Sequence, residues 1–236
     1  MEVGADGWAT IWVPELPGLF LNGSSERETL REIPKAIKAY QRWLRGHGEP
    51  VRVTAVPTVD VVQRSQARAR MRWGNTTVLH DFQRPRLTQP ELARCLRWMG
   101  FMRWDTLLLL ASLPPAGLDW TKPGQERTIA QHLRHVANAE RWYLDRLALG
   151  PFPDLGRTTD PLERIARVRR MTLARLVKMT REERARIRKV DGEWWSARKM
   201  LSRILYHERY HLRSMARIAR YHRVTMPDAL GGWTHY

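Results

Sequence analysis

The chain is 236 residues long, enough for two domains of which one is small. It carries 41 Lys+Arg against 24 Asp+Glu, a formal net charge of +17, and 43% hydrophobic residues. No apolar run approaches membrane length, because Arg103 and Asp105 stand just before Leu107–Leu110, so no transmembrane span is expected. The opening Met-Glu-Val-Gly-Ala-Asp lacks the basic and apolar stretches of a signal peptide, and the single Cys95 can make no internal disulfide. Both fit a cytoplasmic protein. The positive balance admits nucleic acid or an acidic small molecule as a partner, although the Arg residues are spread along the helical segments rather than gathered in a block.

Residues 1–56 read as a small α+β unit. Gly7-Trp-Ala-Thr-Ile-Trp-Val alternates β-branched and aromatic residues as a strand does, Pro14-Glu-Leu-Pro-Gly turns the chain, and Leu19-Phe-Leu suits a second strand. Ser25 with Glu28 forms a capping box that opens a helix with the apolar face Leu30, Ile33, Ile37, Tyr40, Trp43 and Leu44. Pro34 inside it predicts a kink or break. Val51-Arg-Val-Thr-Ala-Val alternates again and is expected to rejoin the sheet.

The run from Gly7 to Leu44, with Val13 to Gly18 as its turn and Gly23-Ser24 before its helix, resembles the HicB-like fold. In antitoxins of that family the domain binds a partner toxin, with a DNA-binding segment behind it. This chain departs from the pattern: no helix-turn-helix or ribbon-helix-helix is evident after residue 56. The resemblance implies a fold and a protein-binding surface, and the segment carries no catalytic constellation.

Residues 57–87 read as a connecting segment, with the basic run Arg64–Arg72 as either a short helix or a charged strand. Gly74-Asn75 is a turn signal. His80-Asp81 is a formal acid–base pair, but adjacent residues on an extended chain point to opposite faces, which assigns them to solvation or capping.

Residues 88–222 carry four helical segments, each with one apolar stripe, the pattern of a four-helix bundle. Thr88 with Glu91 caps the first, which reaches Ser112. The second starts near Arg127-Thr128 and runs through Ile129, Leu133, Val136 and Tyr143. The third opens on Thr159-Asp160-Pro161 with the stripe Leu162, Ile165, Val168, Leu173, Leu176 and Val177. Thr180 with Glu183 caps a short turn before Asp191-Gly192. The fourth begins near Ser196, and residues 223–236 form a tail. On the fourth helix Met200, Ile204, His207, His211, Met215 and Ile218 share one face.

Two imidazoles one turn apart on an apolar face are costly unless their nitrogens find partners. A metal ion is such a partner, and the second helix supplies His132 and His135 as further candidates. One of these with His207 and His211 would give three ligands and an open position, the arrangement of catalytic Zn²⁺, and three His also suit Ni²⁺ or Fe²⁺.

The segments His135-Val-Ala-Asn-Ala-Glu140 and Trp194-Trp-Ser through His207-Glu-Arg-Tyr-His211 resemble the DinB-like (YfiT-like) superfamily of metalloenzymes. That family is an up-down-down-up four-helix bundle, with a His followed five residues on by Glu in its second helix and H-x-x-x-H in its last. The resemblance selects His135, with His207 and His211, as metal ligands, and leaves His132 on the helix surface. Members with known activity include transferases using low-molecular-weight thiols and a maleylpyruvate isomerase.

The resemblance therefore implies a metal-dependent enzyme, a thiol S-transferase or a hydrolase, acting on a small-molecule substrate. A bound divalent cation would lower the pKa of a thiol or water at the open position. Glu140 and Glu208 are the nearest carboxylates in sequence, Tyr143, Tyr206 and Tyr210 flank the ligands, and no general base is assigned. The alternative is a HicB-like regulator that binds protein or nucleic acid, with a non-catalytic bundle. Eleven Trp residues are compatible with a homodimer in either case.

Overall fold

The computed structural model describes residues 1–68, 70–72, 77–156 and 160–231. The Gly74-Asn75 turn, Thr159 of the third helix's start signal and the last five residues of the tail lie outside them.

The chain opens with β1 (Glu2–Val3), β2 (Ala9–Trp12) and β3 (Phe20–Gly23). β2 pairs antiparallel with both neighbours, setting Trp12 opposite Phe20 and Ala9 opposite Val3. The turn between β2 and β3 ends at Gly18, whose φ is +86°. A Cβ there would lie 2.5 Å from Leu205 Cβ, so glycine is what lets this turn rest on a helix far along the chain.

α1 (Glu26–Gly46) begins at Ser25, whose side chain accepts the Glu28 N–H. It runs unbroken through Pro34. The proline forfeits its own N–H bond, while buried Ile33, Ile37, Tyr40, Trp43 and Leu44 hold the helix on both sides of it.

Val51–Val56 does not form the expected strand. The open edge of β1 is taken instead by β4 (Ser65–Gln66), from the segment read as a connection. It pairs parallel, with Glu2 opposite Ser65, and the sheet order is β3-β2-β1-β4.

The helical part comprises α2 (Gln89–Ala111), α3 (Ile129–Arg146), α4 (Pro161–Val177), the short α5 (Arg181–Ala185) and α6 (Ala197–Tyr221). Thr88 with Glu91, Thr128 with Gln131 and Thr180 with Glu183 form capping boxes, which is why these helices start where the sequence indicates. Before α6 stands a hairpin, β5 (Ile187–Val190) and β6 (Glu193–Ser196). Its two-residue turn, Asp191-Gly192, has φ of +52° and +81°, as a hairpin of this twist favours.

α3 packs against α4 and α6, and α2 against α6. α2 meets α4 through Arg103 Nη1, which donates to the Ile165 carbonyl at 2.7 Å, and Arg169 Nη1, which donates to the Met99 carbonyl at 2.6 Å. The four long helices thus close a ring. The apolar stripe of α4 differs from expectation: Leu162 and Val177 are exposed, and Arg164, Arg169 and Thr172 take buried positions.

The two parts share one hydrophobic core. Tyr40 of α1 faces Trp98 of α2 edge-on at 6.1 Å. Trp43 Nε1 donates to the buried Asp105 carboxylate at 2.7 Å, and His47 Nε2 lies 3.2 Å from the same oxygen. On the other side Trp12 and Phe20 pack on Tyr206 of α6, with ring centres 5.9 and 4.2 Å away. Among the described residues no helix is long and apolar enough to cross a membrane.

Candidate metal centre

α3 and α6 lie side by side, and each turns histidines toward the other. The apolar stripe of α3, Ile129, Leu133, Val136 and Leu144, fixes its rotation on the core, and Met200, Ile204, Met215 and Ile218 do the same for α6. His135 and His207 are half-buried and His211 is buried.

Their Nε2 atoms converge. His207 Nε2 is 3.2 Å from His135 Nε2 and 3.2 Å from His211 Nε2. One nitrogen from each of the three residues lies within 4.8 Å of the others. Tetrahedral zinc with Zn–N bonds of about 2.0–2.1 Å sets its ligand nitrogens about 3.3 Å apart, so the two short edges match what such an ion requires. Three imidazoles without a carboxylate suit a borderline cation such as Zn²⁺, Ni²⁺ or Fe²⁺.

The rings are held neutral. Burial, then the nearby His135 and Arg203, lowers His207 to about 3. Burial, then His207 and His132, puts His211 well below its ordinary value, and burial with Arg127 lowers His135. Neutral imidazole keeps the lone pair that a metal needs.

His132, expected on the helix surface, is buried at 5% exposure. Its Nδ1 is 2.8 Å from Nδ1 of His211. For His211 to offer its Nε2 lone pair, its proton must sit on Nδ1 and be donated to His132 Nδ1. His132 is therefore the residue that sequence reasoning missed. Its signal was present in the spacing, since it lies three residues before His135 and beside the buried Ile129 and Leu133.

The carboxylates are elsewhere engaged. Glu140 and Glu208 are 3% and 2% exposed, and both are gripped by arginines. Arg169 donates from Nε and Nη2 to the two oxygens of Glu140, each at 2.9 Å, and its Nη2 also bonds Glu208. Arg103 Nε donates to Glu208 Oε1 at 2.7 Å, and its Nη2 lies 3.6 Å from Glu140. The four residues come one each from α2, α3, α4 and α6. Burial alone would raise the Glu208 carboxyl, but the two guanidiniums hold it at about 2. A carboxylate held down in this way accepts protons poorly at neutral pH, so Glu208 is a structural anchor rather than a base.

The tyrosines divide. The Tyr143 ring stands edge-on to His207 at 5.8 Å, and the Tyr210 ring edge-on to His211 at 5.2 Å. Tyr206 turns away to Trp12 and Phe20. The Arg203 guanidinium lies 5.8 Å from the Tyr143 ring centre, which puts positive charge beside the three histidines.

Residues 99–215 match the family model of the DinB superfamily. A UPF0150 protein of Thermoplasma acidophilum is 41% identical over 46 residues, which are 20% of this chain and 67% of that relative. No solved structure matches the chain significantly. The chain thus joins an N-terminal part that belongs with the UPF0150 proteins to a DinB-like domain matched over residues 99–215.

Proposed function

We propose that the helical part is a metal-dependent enzyme whose divalent transition metal is held by His135, His207 and His211. The reading is carried by the triangle of Nε2 atoms, with two edges of 3.2 Å. It is supported by the neutral state of the rings and by the His132–His211 hydrogen bond.

When bound, the cation supplies a Lewis acid with one open coordination position. The residues around it do the rest. Arg203 and Arg127 place positive charge near that position, which favours an anionic ligand such as a thiolate. Tyr143 and Tyr210 wall the histidines with aromatic edges. We assign the reaction to transfer of a low-molecular-weight thiol onto an electrophilic small molecule, with hydrolysis as the competing outcome.

The first test is metal content. Protein purified without a histidine tag is expected to hold about one transition metal per chain, and His207→Ala is expected to lose it. Equal content in both proteins, or none in either, overturns the metal reading. The second test follows electrophile consumption with and without added low-molecular-weight thiols. Metal-dependent turnover that requires thiol supports the transferase, and turnover in water alone replaces it with a hydrolase.

A further inference from the structure

A cavity of about 840 Å³ lies in the N-terminal half, away from the three histidines. It opens between β2, α1, the extended segment 51–63 and the outer face of α2. Ile11, Val13, Leu30, Ile37, Val59 and Phe82 give it apolar walls. Its size falls in the usual range for small-molecule sites, about 300–1,000 Å³.

Its polar lining is unfinished. His80 is 2% exposed, and neither of its ring nitrogens has a hydrogen-bond partner. Burial lowers it to about 4, so at neutral pH the ring carries one N–H donor and one acceptor, both unused. Buried polar groups left in this way cost free energy that a bound acceptor would recover.

The charges around the cavity do not balance. Arg97 takes the Glu49 carboxylate with two hydrogen bonds, at 2.8 and 3.2 Å. Arg94, half-buried one turn earlier, lies with its guanidinium 5.5 Å from the Trp98 ring centre, and its Nε has no partner. Two guanidiniums thus face one buried carboxylate. The other lining carboxylates, Glu15 and Asp60, are exposed.

We propose that this cavity binds a small carboxylate with an apolar body, its carboxylate received by Arg94 and the N–H group of His80. The site is separate from the metal centre, since none of His135, His207 and His211 lines it. It therefore stands whether or not the chain holds a metal.

The test is isothermal titration calorimetry of the full chain with 1-naphthylacetate and with its neutral counterpart 1-naphthylacetamide. The carboxylate is expected to bind one to one and the amide more weakly. Loss of a hydrogen bond to a charged group predicts binding about tenfold weaker in Arg94→Gln and in His80→Phe. His135→Ala is expected to bind as the parent does. Absence of carboxylate binding, equal binding of the amide, or full affinity in Arg94→Gln overturns the proposal, as does an equal loss in His135→Ala. If His80→Phe fails to fold, shown by circular dichroism, Arg94→Gln decides, because its side chain is only half-buried.

Discussion

Nδ1 of His132 stands 2.8 Å from Nδ1 of His211, a buried imidazole-to-imidazole contact that links α3 to α6 behind the three converging Nε2 atoms. It fixes both the tautomer and the ring plane of His211.

Removing that contact should weaken metal binding without abolishing it. His132→Phe keeps a ring in the site but offers no acceptor to His211. Its metal affinity, measured by competition with a chelating dye, is expected to fall about 10- to 100-fold, while His207→Ala loses the ion altogether. Unchanged affinity in His132→Phe would show that His211 needs no such support.

The network of Arg103, Glu140, Arg169 and Glu208 should be costly to break and cheap to replace. Arg169→Met leaves buried Glu140 with only the 3.6 Å contact to Arg103, while Glu208 keeps Arg103 Nε, and it is expected to cost about 3–5 kcal/mol in urea denaturation. Changing all four residues to Met or Leu should recover most of that loss, because apolar groups of similar volume need no partner. A quadruple variant less stable than Arg169→Met would contradict this account.

Acid should destabilise the fold in two stages. Burial lowers His80 from its ordinary 6.5 to about 4, so between these values the unfolded chain binds a proton that the folded chain refuses. The stability this gives is full above pH 6.5 and is lost as pH falls toward 4. Glu208, held at about 2 against an ordinary 4.5, adds a further loss as pH falls from 4.5 toward 2. The urea midpoint is expected to fall from pH 7 to pH 4, and His80→Phe should flatten the upper part of that slope. A midpoint independent of pH over this range would refute the assignment.

The N-terminal part and the bundle should unfold together. Asp105 of α2 is fully buried and accepts from Trp43 of α1, and Gly18 and Tyr206 join the β2–β3 turn to α6. Calorimetry is expected to show one transition. Asp105→Ala, which leaves the Trp43 N–H and His47 without their acceptor, should lower stability by about 2–4 kcal/mol. Two resolved transitions in the parent protein would mean that the shared core does not couple the parts.

Much of this was legible in the sequence because local rules governed it. Ser25, Thr88, Thr128 and Thr180 mark helix starts through their own hydrogen bonds; Thr88 and Thr180 close the capping boxes as read, whereas at Ser25 the Glu28 carboxylate turns back to Ser24 instead. His207 and His211 were visible as polar residues on the stripe that runs from Met200 to Ile218.

What the sequence hid depends on partners far along the chain. Arg103 and Arg169 look like surface residues of basic helices until Glu140 and Glu208 come to meet them in the core. His132 looked superfluous until α6 brought His211 beside it. Arg64–Arg72 reads equally as a short helix or a charged strand, and only the open edge of β1 decides for a strand at Ser65–Gln66. His80 was assigned to solvation or capping with Asp81. That reading holds: Asp81 is exposed, and His80 is the N-cap of a 3-10 turn, Asp81–Gln83, its N–H donating to Gln83 Oε1 at 3.1 Å; what no local pattern could reveal is that His80 also stands in the wall of a cavity.

The arginine–glutamate network also constrains how the chain can change over time. In chain order its members alternate in sign, Arg103, Glu140, Arg169 and Glu208, one each on α2, α3, α4 and α6. Any single replacement leaves an odd charge in the interior, so a neutral path away from it must pass through paired changes on different helices. In a set of descendants these four positions should be inherited as a unit, and a lineage that has lost one should have lost an opposite partner with it.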